Sequence, residues 1–314
     1  MTERVTRLAP SPTGALHLGN VRTFLLNWAA ARRGGWRIVM RIEDLDGPRV
    51  KPEAAAQALD VLAWLGMDWD GEPTYQSHDL SPYAEALETL RRKGLVYPCP
   101  ATRREIEAAA SAPHADEHEL RYPGLYRPAN HPPPIPPDAE TATRLLVPDG
   151  PVAFADEAHG PQAVDVQAQV GDFVVHTKAG LPAYQLAVVV DDARQGVTDI
   201  VRGDDLLRST ARQVLLYDCL GLGTPPRYRH VPLVYGPDGR RLAKRHGDTR
   251  VASYRDHHGT PVDKIIGLMA QWCGLAGSRE PMSAEGFLAR FDWNHLPPDP
   301  ITLTPEDDAW LKAN

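Results

Sequence analysis

The sequence predicts an α/β fold built from parallel βαβ units. Three observations carry that expectation. The first hundred or so residues alternate strand-like and helix-like runs of the lengths such units use. Composition is that of an ordinary globular chain, 42% apolar and 24% charged over 314 residues, enough to bury a sizeable core. No apolar run approaches the roughly 18 residues of a membrane span. The longest, Leu186 to Val190, is strand-sized.

The elements follow in order. Arg4 to Ala9 reads as a short strand, and Pro10 to Asn20 as a loop. Val21, Phe24, Leu25, Trp28 and Ala29 then recur at helical spacing until Gly34-Gly35 stops them. Trp36 to Ile42 is a second strand, and helices at about Pro52–Leu65 and Ser81–Lys93 follow. Thirteen of the 30 prolines lie between Pro98 and Pro161. Proline at that density forbids long helices and central strands, so a loop-rich insertion with polyproline character is expected. Val164 to Val175 and Leu181 to Val190 read as strands, separated by a turn at Gly180-Leu181-Pro182. Asp204 to Gly221 reads as one helix, with Ser209 or Thr210 assisting its start. Arg227 to Arg250 is basic, with seven Lys/Arg against Asp238 and Asp248. Val262 to Leu275 looks helical, and the acidic tail from Glu280 is expected to form short helical pieces.

Charge and cysteines narrow the function classes. With 34 Lys+Arg against 41 Asp+Glu the formal net charge is −7, which excludes a polycation holding nucleic acid by bulk charge but leaves a local basic face open. Cys99, Cys219 and Cys273 are odd in number and widely spaced, so no disulfide framework follows and a cytoplasmic location is expected. Met1 to Arg7 has no apolar core of a secretory signal.

Two loops carry chemistry. Ser11-Pro12-Thr13-Gly14 leads into His17-Leu18-Gly19-Asn20, which opens a helix. Such a strand-to-helix loop sets backbone N–H groups and the positive helix end where a phosphate sits. The same residues also suit a plain βα turn. The second loop, Gly236 to Gly247, projects Arg240, Arg241, Lys244 and Arg245 from a Pro-Asp-Gly turn. It suits closure over a polyphosphate, and equally a solvated charged loop.

Taken together, the two loops resemble the signatures of class I aminoacyl-tRNA synthetases. His17-Leu18-Gly19-Asn20 is similar to their HIGH motif, and Arg241-Leu242-Ala243-Lys244-Arg245 to their KMSKS loop. Arg7 to Gly14, Arg41-Ile42-Glu43-Asp44-Leu45-Asp46, Tyr184 to Asp192 and Val201 to Leu207 narrow the resemblance to the glutamyl/glutaminyl subclass. It runs in order from about residue 4 to residue 250. Only about 64 residues follow Arg250, too few for stem-contact helices and an anticodon-binding region together. The chain therefore resembles the stand-alone paralogues of that subclass.

The resemblance implies a Rossmann-type parallel-sheet catalytic domain at 1–97 and 184–250. It implies a proline-rich insertion subdomain at 98–183 and a short helical C-terminal region at 251–314, without an anticodon-binding domain. It implies ATP-dependent, tRNA-independent activation of L-glutamate, then transfer to queuosine in the anticodon stem-loop of tRNA(Asp). ATP would enter with Mg2+ as substrate, no membrane is involved, and a monomer is expected. The alternatives are a glutamyl-tRNA synthetase core charging tRNA(Glu), a nucleotidyltransferase of the same superfamily acting on another small acid, and a degenerate tRNA-binding module.

Residue roles come by the same route. His17, Asn20 and Lys244 are the implied catalytic residues. Pro10, Thr13, Gly14, His17, Gly19, Asn20, Arg241, Leu242, Ala243, Lys244 and Arg245 line ATP. Arg7, Ser11, Glu43, Tyr184 and Arg202 bind glutamate. Guanidinium suits the substrate's side-chain carboxylate geometrically, and Glu43 suits its α-ammonium. Arg7 and Arg202 would otherwise be read as internal partners of Asp44, Asp46 or Asp204, and Asp44 and Asp46 themselves read as structural. Family members often carry a zinc frame of Cys-x-Cys followed by Tyr-x-x-x-Cys. Here Cys99 and Tyr122 are retained while Ala101 and Tyr126 replace cysteines, so zinc is not expected. His114, Glu117 and His118 lie between them as candidate substitutes.

Overall fold

The computed structural model describes residues 3–109, 120–240, 242 and 248–313. The elements run β1 (Val5–Leu8), α1 (Leu18–Gly34), β2 (Arg37–Ile42), α2 (Pro52–Trp64), β3 (Thr74–Tyr75), α3 (Ser81–Arg92), β4 (Val96–Cys99) and α4 (Arg103–Ala109). Next come β5 (Ala142–Leu145), β6 (Pro151–Asp156), β7 (Gly160–Asp165), α5 (Val166–Gln169), β8 (Val174–His176), α6 (Tyr184–Arg194), β9 (Asp199–Gly203) and α7 (Ser209–Leu220). The last are β10 (Arg227–Val231), β11 (Val234–Tyr235), α8 (Val251–His258), α9 (Val262–Trp272), α10 (Ala284–Arg290), β12 (Ile301–Thr302) and α11 (Pro305–Lys312). No helix among the described residues is long and apolar enough to cross a membrane.

The chain divides into two compact units. The first comprises Met1–Ser77, Val197–Leu206 and Pro226–Asn314. In it β1 pairs parallel with β2, and β2 with β3. On the other side of β1, the Thr198 N–H donates to the Val5 carbonyl at 2.9 Å, and β9 then pairs parallel with β10. The chain thus leaves β1 in both directions, which makes the carboxyl ends of β1 and β9 a switch point where ligands of open α/β sheets bind. α1 packs on this sheet through Leu18, Val21, Leu25, Leu26 and Ala29, all fully buried. It ends at Gly35, whose positive φ of 65° gives the left-handed cap that glycine adopts without steric cost. α8, α9, α10 and α11 contribute Tyr254, Ile265, Leu268, Phe287 and Leu311 to the same core.

The second unit comprises His78–Gly196 and Leu207–Pro225. β5 is central in an antiparallel sheet between β4 and β8, while β6 and β7 form a hairpin. Proline did not exclude a central strand from this stretch, because Ala142–Leu145 is a proline-free window within it.

Several element expectations need correction. Leu181 to Val190 is not a strand, since α6 runs from Tyr184 to Arg194. Gln185 through Asp192 are all buried, so a β-branched run covered on every side carries no helical period to read. Val164 to Val175 is broken by α5, where the Asp165 side chain accepts from the Ala168 N–H and starts a helical turn. Asp204 to Gly221 is a 3₁₀ turn at Asp204–Leu206 followed by α7, not one helix. Neither Ser209 nor Thr210 caps α7, whose N-cap is Arg208 without a side-chain bond. In the tail, Ile301–Thr302 pairs parallel with β11, a two-residue strand with too little sequence to show alternation.

Candidate active site

The first loop is built by backbone bonds to its neighbours. The Glu43 N–H donates to the Pro10 carbonyl at 3.1 Å, and the Lys51 N–H to the Pro12 carbonyl at 3.0 Å. Pro10 and Pro12 are buried by this, while Ser11 and Thr13 stay exposed. A Cβ on Gly14 would meet nothing within 4 Å, so the loop keeps open space there.

His17 is the N-cap of α1. Its Nδ1 accepts from the Asn20 N–H at 3.3 Å, and Asn20 Oδ1 accepts from the His17 N–H at 3.3 Å. This reciprocal box starts the helix at Leu18, three residues before the apolar period becomes visible. Because Nδ1 is an acceptor, the neutral ring carries its proton on Nε2, which remains a donor. Gly19 sits in a close approach, since a Cβ there would stand 3.2 Å from the His17 ring and 3.3 Å from Val234 Cβ, tighter than ordinary contact.

The same turn is clamped to the chain behind the second loop. The Leu18 N–H donates to the Thr249 carbonyl at 3.2 Å and the Val251 N–H to the Leu16 carbonyl at 2.9 Å. At the loop's other end the Leu242 N–H donates to the Val234 carbonyl at 3.1 Å, with the Leu242 side chain buried in the core. Arg250 pairs with Asp248 and holds its carboxyl far below the usual carboxylate range. Arg241, Ala243, Lys244 and Arg245 lie outside the described residues.

Three buried guanidiniums stand on β1, β2 and β9. Arg7 is 6% exposed, Arg41 0% and Arg202 5%. Arg41 Nη2 lies 3.1 Å from Glu43 Oε1, so the carboxylate just past β2 is held by a cation inside the strand. Arg202 Nε donates to His230 Nε2 at 3.0 Å across β9 and β10. Asp44 is engaged by the Ser77 N–H at 2.8 Å, and Asp46 by Arg49 at 2.7 Å. Arg41 and His230 were not assigned a role from sequence. Arg41 stands two residues before Glu43 in Arg41 to Asp46, and His230 carries no signal of spacing or pattern.

Tyr184 belongs to the second unit. It opens α6 and is 43% exposed, while Gln185 beside it turns inward and accepts from Gln213 Nε2 at 3.1 Å.

Cys99 Sγ lies 3.4 Å from Tyr122 Oη, and that oxygen accepts from the Tyr126 N–H at 2.8 Å. Burial first, then the contact with Cys99, pushes the Tyr122 phenol up to about 12. Tyr97, Ala101 and Ile106 complete an apolar cluster around the pair. Two ligand-type side chains spent on each other do not make a tetrahedral site. Among the described residues no group of three His, Cys, Asp or Glu is placed to hold a metal. His114, Glu117 and His118 lie outside the described residues.

The family described as tRNA synthetases class I (E and Q), catalytic domain, matches residues 3–304. The Glutamyl-Q tRNA(Asp) synthetase of Rhodopirellula baltica is 46% identical over 96% of this chain and 97% of its own length. The Glutamate–tRNA ligase 2 of Halorhodospira halophila is 38% identical over 99% of this chain but 66% of its own. Among solved structures, the glutamate-tRNA synthetase of Elizabethkingia anophelis superposes with a TM-score of 0.81 at 25% identity, over 99% of this chain and 70% of that one.

Proposed function

The chain belongs to the class I tRNA synthetases of the E and Q type, and from that premise we propose that it activates L-glutamate with ATP, without tRNA, and transfers the glutamyl group to queuosine in the anticodon of tRNA(Asp). One observation carries the choice of acceptor. The relative named for that reaction is matched along nearly the whole length of both chains, whereas the glutamate–tRNA ligase extends about a third beyond the match.

In the first step the α-carboxylate of glutamate attacks the α-phosphorus of ATP, a carboxylate–phosphate anhydride forms, and pyrophosphate leaves. The protein's work is positioning and charge stabilisation. The positive start of α1 and the Nε2–H of His17 face the phosphates, with Pro10, Thr13, Gly14, Gly19 and Asn20 lining the nucleotide. By the family pattern Arg241, Ala243, Lys244 and Arg245 bind the phosphates, with Leu242 between them buried in the core, and Mg2+ enters with ATP. Arg7 and Arg202 take the side-chain carboxylate, Glu43 takes the α-ammonium, and Ser11 lies beside them in the first unit; Tyr184, in the second unit, is the remaining residue that the family pattern implies for glutamate. In the second step a hydroxyl of the queuosine diol attacks the activated carbonyl, loses its proton, and AMP leaves.

The test is glutamate-dependent ATP–pyrophosphate exchange without tRNA, then transfer to tRNA(Asp) with and without queuosine and to tRNA(Glu). Exchange with glutamate and transfer only to the queuosine-bearing tRNA(Asp) are expected. Equal transfer to both forms of tRNA(Asp), or charging of tRNA(Glu), overturns the acceptor. Exchange with a different acid overturns the substrate.

A further inference from the structure

We propose that His230 is a positioning residue for glutamate recognition, holding the Arg202 guanidinium in the orientation that meets the substrate's side-chain carboxylate. The proposal rests on the reading of Arg202 as a glutamate ligand. His230 is wholly buried on β10 and is the register partner of Arg202 on β9. Parallel partners project to the same face of a sheet, so the two side chains meet side by side. The Arg202 Nε–H donates to His230 Nε2 at 3.0 Å. That bond requires an unprotonated Nε2, so the neutral ring carries its proton on Nδ1.

The surroundings fix both groups. The His230 ring stacks on Tyr228, with centroids 6.2 Å apart and planes 13° from parallel. The Arg202 guanidinium lies over the same Tyr228 ring at 5.3 Å. Tyr228 is itself 2% exposed, so the aromatic floor does not move with solvent.

The geometry has a chemical consequence. A guanidinium takes a carboxylate either side-on, through Nε and one Nη, or end-on, through both Nη groups. His230 occupies the Nε–H, which removes the side-on mode and selects the end-on one. It does so with a neutral acceptor. A carboxylate in its place would also hold Nε but would cancel the positive charge needed for the ligand. A histidine keeps the net charge of the pair at +1 while still ordering the arginine.

The experiment compares His230→Phe, His230→Gln and Arg202→Gln by steady-state exchange, with thermal unfolding as a check on folding. Phenylalanine keeps ring volume and stacking but offers no acceptor. Glutamine's Oε1 reaches a place close to that of Nε2. His230→Phe is expected to raise KM for glutamate roughly ten- to a hundredfold, in line with loss of a hydrogen bond to a charged group. KM for ATP should stay within about twofold, because the nucleotide is bound elsewhere. His230→Gln should restore most of the glutamate affinity. On an Arg202→Gln background the Phe substitution should add little, since the two act through one contact. If Arg202→Gln raises KM for glutamate but His230→Phe and His230→Gln both leave it unchanged, the positioning role is overturned and the ligand assignment stands. If Arg202→Gln itself leaves KM for glutamate unchanged, the ligand assignment falls first. If His230→Phe does not fold, a glutamate KM for His230→Gln as high as that of Arg202→Gln overturns the proposal.

Discussion

His17 does two things with two nitrogens. Nδ1 caps α1, and Nε2 is the donor that the proposed mechanism offers to phosphate. The two roles separate by substitution. His17→Ala should lower the unfolding stability by about 1 kcal/mol through the lost cap. It should also lower the exchange rate roughly 10²–10³-fold through the lost donor. His17→Asn should restore the stability, since Asn is a good N-cap, but not the rate. Lys244→Ala should show the same loss of rate with an unchanged unfolding midpoint. Exchange kinetics and thermal melts on the three variants decide this, and a His17→Asn enzyme with full activity would reduce the residue to a cap. At this scale the motif residues were legible in the sequence, because short polar loops around glycine keep their chemistry in the residue names. His230 was not, because it meets Arg202 at 3.0 Å only through the register of β9 and β10, and Arg41 was not, because its contact with Glu43 at 3.1 Å carries no mark in the sequence.

Among the elements, β9 is held at its first residue by ions. Asp199 is 3% exposed and accepts from Arg4 Nε at 3.0 Å and from Arg227 Nε at 2.9 Å. Burial opposes its charge, but the bonds from Arg4, Thr198 and Arg227 prevail and hold the carboxyl below its usual value. A depressed folded value means stability that is present above the unfolded value, about 3.9, and is lost as pH falls through the folded one. Asp199→Asn should therefore cost about 1–3 kcal/mol at neutral pH, less than a fully buried pair because both arginines are a third or more exposed. The gap in unfolding midpoint between wild type and variant should shrink as pH drops below about 4. A gap that is constant with pH would mean the carboxylate's charge contributes nothing. α3, which buries only Tyr83, Leu87 and Leu90, has one buried face and was read as a helix. α6 was not, because packing on all sides erased the contrast between its faces, and β12 was too short to show one.

For the whole molecule, the charge of −7 bears on how tRNA is held. A negatively charged enzyme gains nothing from bulk attraction and must rely on few phosphate contacts. About two to three such contacts predict that KM for tRNA in the transfer step rises roughly ten- to fortyfold between about 50 and 200 mM salt. Exchange without tRNA involves no such contacts, so its KM for glutamate should change little over that range. Measuring both across a salt series tests this, and a flat tRNA dependence would place recognition in base and diol contacts instead.

The alternation of strand-like and helix-like runs determined the α/β class, and the resemblance carried by the two loops and the motifs between them gave the family and the residues proposed for the site. Those features are local: a glycine close to a ring, a histidine at a helix start. The tertiary structure alone decided that the first loop is clamped to the chain behind the second, that the frame around Cys99 and Tyr122 closes on itself, and that His230 stands against Arg202. Each of these joins residues far apart in the chain through strand pairing or burial. Register is set by the packing of a whole sheet, which no single segment encodes.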